Sequence, residues 1–124
     1  FIAPGQVMCT QATEADDPNA AILEEVAEQL SQFEDAHGRK LDLLHIPSPG
    51  LVRDDQGRAL PASYLNYYLG NRTVVVPTYG SAGDAKAVDA ISRAFPDRRT
   101  IGLSALAILQ GGGAFHCVTL GEPL

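Results

Sequence analysis

Apolar and polar positions along this chain predict two helices set among short strands. Residues 5–10, reading GQVMCT, are a short apolar run after Pro4-Gly5 and predict a strand. The polar stretch 11–19 ends in a helix-start signal, with Asp17 as the cap and Pro18 in the first turn. Ile22, Leu23, Val26, Ala27, Leu30 and Phe33 then recur at helical spacing, with Glu24, Glu25 and Glu28 on the wet face. Gly38 is expected to stop this helix, with His37, Arg39 and Lys40 near its negative end. In residues 40–50, Leu41, Leu43 and His45 alternate with Asp42 and Leu44, which predicts a strand ended by Pro47 and Pro49.

Residues 51–61 form a polar, hairpin-like excursion turning on Asp54, Asp55 and Gly57. Residues 62–71, rich in Tyr and Leu, predict a strand, and Gly70-Asn71 a tight turn into a strand at 72–80 buried on both faces. Residues 81–99 hold the second helix, capped by Asp84, striped by Ala87, Val88, Ile91 and Phe95, and ended by Pro96. Residues 100–109 predict a last strand running into the glycines that follow. The order is β-α-β, then β-β-α-β, then a loop carrying Cys117, which is an α/β pattern. The second half is a complete ββαβ unit, and the first resembles the same unit without its opening strand.

Composition narrows the functional classes. At 124 residues the chain suits one compact domain, and with no Trp and 6% aromatic residues its core must be mostly aliphatic. A net charge of −6 argues against nucleic acid and anionic membrane as partners and permits a cationic small molecule. No apolar run approaches the length of a membrane span. No signal peptide is recognised, and a chain opening on Phe1 rather than Met is expected to be part of something longer. Two cysteines make no disulfide framework, so a reduced, cytoplasmic setting is expected.

The chemistry concentrates in residues 111–120, GGGAFHCVTL. Cys117 reads two ways, as a small buried hydrophobe or as a nucleophile. Gly111, Gly112 and Gly113 lack Cβ atoms, so they either form a simple turn or expose main chain beside a reactive group. In an extended segment His116 would point away from Cys117, which assigns it a supporting role and no part as the base. His37 reads as a helix-end residue and His45 as a strand histidine. No metal-ligand spacing and no phosphate loop is present, so neither metal nor cofactor is expected. Tyr64, Tyr67 and Tyr68 read as strand packing, with one hydroxyl free to border a pocket.

The GGGAFHCVT stretch, preceded by ASYLNYYLGN, VVVPTYG and AFPDRRTIGL, resembles the agmatine deiminase family, the bacterial peptidylarginine-deiminase type, over essentially the whole chain. The resemblance implies a pentein fold, a five-bladed α/β propeller of ββαβ units around a central site. Residues 1–50 would be an incomplete blade and 60–124 the last one. It implies hydrolysis of the guanidinium of agmatine to N-carbamoylputrescine and ammonia, in putrescine biosynthesis, through an amidino-cysteine on Cys117. Gly111 to Gly113 would shape the loop beside the substrate. The family's acid/base histidine and its substrate carboxylates would lie upstream, which leaves the isolated chain inactive or nearly so. Ala114, Phe115 and Leu120 depart from the family pattern, and the first two are expected to alter the pocket wall. Three rivals stand beside this reading: a peptidyl- or free-arginine deiminase, a non-catalytic truncated propeller segment that assembles with a complementary chain, and a different thiol enzyme such as an amidase; a homo-oligomer or a complementary chain is the protein partner to expect.

Overall fold

A computed structural model describes residues 1–121. The last three residues of the expected 60–124 blade therefore lie outside the described ones. Strand β1 (Gln6–Gln11) and strand β2 (Asp42–Pro47) pair in parallel, joined by helix α1 (Ala20–Gln32). Their register sets Cys9 against His45 and Thr10 against Ile46. The second sheet runs β3 (Tyr68–Leu69), β4 (Thr73–Thr78), β5 (Arg99–Ser104), antiparallel and then parallel, with helix α2 (Asp84–Ala94) crossing from β4 to β5. A single helical turn, α3 (Leu106–Leu109), follows. The β-α-β and β-β-α-β order is the one expected.

Helix α2 packs against β2, β4 and β5 and so joins the two sheets. Its stripe differs by one position from expectation: Ala87, Ala90 and Ile91 are buried, while Val88 is only half-buried. Val74 and Val76 of β4, Ile46 of β2 and Leu109 of α3 are fully enclosed in the same core. Each such aliphatic side chain contributes roughly 1.5–3 kcal/mol by leaving water.

Four local expectations are corrected. Residues 62–71 form a strand only at Tyr68–Leu69, because Ser63 to Asn66 close a turn in which the Asn66 amide donates to the Ser63 carbonyl at 3.2 Å. The strand predicted over 100–109 ends at Ser104, and its apolar tail winds into α3. A continuous apolar run does not distinguish a buried strand from a buried helical turn. Neither predicted aspartate is the helix cap residue. Asn19 precedes α1, with Asp17 accepting its amide at 2.9 Å, while Asp84 is the first residue of α2. Helix α1 stops at Phe33, whose backbone turns extended, and Gly38 instead takes φ +73° in the following turn.

Helix α1 itself buries no residue completely. Leu23, Ala27 and Leu30 are half-covered against the sheet, whereas Ile22, Val26 and Phe33 stand exposed. The six apolar positions thus divide into a packed row and an open one.

Candidate active site

The loop after α3 is positioned from behind by burial. Leu109 and Ala114 are both fully enclosed, one on each side of the glycine triplet, so the chain between them is pinned at two points. Ala114 is part of the core, and the half-buried Phe115 packs against that core.

The three glycines do three different things. The Gly111 and Gly112 amides donate to Ile108 and Leu109 at 2.9 Å each and end α3. Gly112 takes φ +91°, a conformation glycine adopts at little cost. Gly113 makes room: a Cβ there would lie 2.7 Å from Cys117 Cβ and 2.9 Å from Cys117 Sγ. The cysteine side chain folds back onto the bare main chain of Gly113, which ties the third glycine to the sulfur sterically.

Residues 115–118 form a turn and not an extended strand, with the Thr119 amide donating to the His116 carbonyl at 3.2 Å. The premise of alternating faces for His116 and Cys117 is thereby corrected. Among the described residues His37, His45 and His116 make no side-chain hydrogen bond to Cys117. The His116 backbone amide donates to the Asn66 carbonyl at 3.2 Å.

Cys117 is exposed, whereas Cys9 is buried in the sheet with its Sγ 3.5 Å from His45 Nδ1. The buried-hydrophobe reading thus describes Cys9 and not Cys117. Asn66, inside the stretch 62–71 expected to be a strand, grips Cys117 twice. Its Nδ2 donates to Sγ at 3.1 Å, and its Oδ1 accepts the Cys117 amide at 3.3 Å. Oδ1 also lies 3.5 Å from Sγ, so the same carboxamide accepts from a thiol and donates to a thiolate. The only sequence signal was a single amide among tyrosines and leucines.

The donor from Asn66, followed by the Ala114 backbone amide, holds the Cys117 thiol below the ordinary cysteine range. Burial pushes Cys9 the other way. Beside the Cys117 turn, Leu65, Tyr67, Tyr68, Leu69, His116 and Thr119 line an open groove of about 400 Å³. Tyr67 and Tyr68 border this groove, while Tyr64 is enclosed in the core. Among the described residues no group of three or more His, Cys, Asp or Glu side chains is placed to hold a metal ion. No helix among them is long and apolar enough to cross a membrane.

An exposed sulfur held by neutral donors can add to an electrophilic carbon. Residues 1–123 match the family model described as Porphyromonas-type peptidyl-arginine deiminase. A curated relative from Marinomonas sp. (strain MWYL1), named "Putative agmatine deiminase", is 36% identical over 98% of this chain. One of the same name from Latilactobacillus sakei is 35% identical over 96% of it. This chain spans 37% of the length of each. Among solved structures, the agmatine deiminase of Enterococcus faecalis superposes with a TM-score of 0.90 at 29% identity, covering 99% of this chain and 38% of that one. A "Putative Arginine Deiminase" from Porphyromonas gingivalis gives 0.91 at 28%, covering 99% and 36%. The fold is α/β and forms part of a pentein propeller, about two blades of five.

Proposed function

This chain belongs to the Porphyromonas-type peptidyl-arginine deiminase family, and from that premise we propose that it carries the nucleophilic sulfur of a cytoplasmic agmatine deiminase serving putrescine biosynthesis. The observation that carries the proposal is the exposed Cys117 sulfur held by the Asn66 carboxamide at 3.1 Å.

In this reading the Cys117 thiolate adds to the guanidinium carbon, forming an S–C bond. One C–N bond then breaks and its nitrogen leaves with a proton as ammonia. Water attacks the amidino-cysteine carbon, the S–C bond breaks, and N-carbamoylputrescine and the thiolate are released. Gly113 keeps space for the sulfur, and Gly111 and Gly112 set the direction of the loop. His116 supports the turn through its main chain.

A guanidinium is resonance-stabilised and cationic, so it needs carboxylates to hold it and an acid for the departing ammonia. No histidine among the described residues bonds to Cys117, and the resemblance to the family assigns the acid/base histidine and the substrate carboxylates to residues upstream of this sequence. The names of the relatives support agmatine as substrate. The net charge of −6 suits a cation in this role.

The test is competitive labelling followed by assay. A haloacetamidine, which mimics a guanidine, is expected to modify Cys117 faster relative to iodoacetamide than it modifies a free thiol, once the rest of the propeller is supplied. Ammonia release from agmatine, free arginine and a peptidyl-arginine is then compared for the 124-residue chain and for the completed protein. Release from agmatine by the completed protein alone is expected. Turnover by the short chain at the same rate sinks the assignment of the missing groups, and no labelling preference sinks the guanidine chemistry.

A further inference from the structure

Tyr79 directly follows β4, far in sequence from Cys117, and is 5% exposed. Its hydroxyl donates to the Ser63 carbonyl at 2.9 Å and accepts the Ser63 amide at 3.3 Å. One phenol thus brackets both main-chain groups of a single residue. Ser63 opens the turn that presents Asn66: its carbonyl also accepts the Asn66 amide at 3.2 Å, and its Oγ accepts the Leu65 amide at 3.2 Å. Asn66 then holds Cys117 by its side chain and His116 by its carbonyl.

Behind Tyr79, the Asp84 carboxylate fixes the other end of the chain of contacts. It accepts the Tyr79 amide at 3.2 Å, the Gly80 amide at 2.9 Å and the Tyr64 hydroxyl at 2.7 Å. The Tyr64 and Tyr79 rings pack with centroids 5.6 Å apart. The start of α2 is therefore linked to the sulfur by an unbroken series of bonds, and Tyr79 is the link between core and loop.

We propose that Tyr79 is a positioning residue for the Cys117 sulfur, acting through the Ser63–Asn66 turn and the Asn66 carboxamide. This rests on the reading of Cys117 as the reactive sulfur but not on the identity of the substrate. Burial pushes the Tyr79 phenol up, against the opposing effect of its bond to the Ser63 backbone. It thus stays a donor while the thiol titrates.

The test reads sulfur acidity alone, so its failure is distinct from a failure of the deiminase reading. Alkylation of Cys117 by iodoacetamide is followed against pH in the unaltered chain, in Tyr79→Phe, in Asn66→Ala and in the double variant. Tyr79→Phe is expected to move the midpoint of the rate profile upward and to slow alkylation at neutral pH by about three- to tenfold, with unchanged circular dichroism. In the Asn66→Ala background the same substitution is expected to change nothing further. A profile unmoved by Tyr79→Phe, or moved equally in both backgrounds, overturns the proposal. If Tyr79→Phe does not fold, the unaltered chain carries the test by NMR. The Tyr79 ring Cζ resonance must then shift where Cys117 titrates and lose that shift in Asn66→Ala; a flat resonance, or a shift that survives unchanged in Asn66→Ala, overturns the proposal.

Discussion

Gly113 and Cys117 cannot be understood apart. The third glycine is required because the cysteine side chain occupies the space where a Cβ would be. Gly113→Ala is therefore expected to push the sulfur out of the Asn66 clasp and to cut alkylation at neutral pH severalfold, while Gly112→Ala adds only backbone strain of about 1 kcal/mol and leaves the sulfur in place. Rates of iodoacetamide modification beside melting temperatures separate the two. The acidity of Cys117 fixes the sign of its pH dependence. Its folded-state pKa lies below the unfolded value, so the thiolate's contribution to stability is present above the unfolded pKa and fades as pH falls through the folded one. Alkylation is expected to rise with pH around a midpoint below the usual cysteine range, and Asn66→Ala to return that midpoint upward. Cys9, shifted the other way by burial, is expected to stay unmodified over the same range.

At the level of elements, the start of α2 is held by Asp84, whose carboxylate gathers two backbone amides and the Tyr64 hydroxyl. Removing it leaves those donors without their partner. Asp84→Ala is expected to cost about 2–3 kcal/mol in denaturant unfolding, because bonds to a charged acceptor are the stronger kind. Much of this element was legible in advance, since its apolar spacing and Pro96 both marked it. The strand at 62–71 was not. Tyr and Leu favour a pleated surface, but Ser63 and Asn66 favour local turns, and the Tyr79 and Asp84 bonds that reward the turn come from later in the chain. Similarly, the apolar 105–109 segment carried no signal separating a strand from the single turn of α3.

Across the whole molecule, α2 and one mostly aliphatic core hold two sheets together while α1 presents a second apolar row to solvent. Because Val26 and Phe33 are 42% and 55% exposed, Val26→Lys and Phe33→Lys are expected to change unfolding free energy by no more than about 0.5 kcal/mol. Equilibrium denaturation checks this, and a loss of several kcal/mol would mean that the row is covered in solution. Helical periodicity announced six apolar positions and had no means of saying that only Leu23, Ala27 and Leu30 would meet the sheet.

By itself, the sequence determined the α/β order, the helix spacing, the aliphatic core and the resemblance borne by the glycine, histidine and cysteine stretch. These follow from local periodicity and from residue types, which need no distant partner. Tertiary structure alone decided which cysteine is buried and which exposed, that among the described residues Asn66 reaches the sulfur, and why the glycine at 113 has no substitute. The two cysteines have the same chemistry in the chain. Only packing across 51 positions, from Asn66 to Cys117, makes one of them acidic.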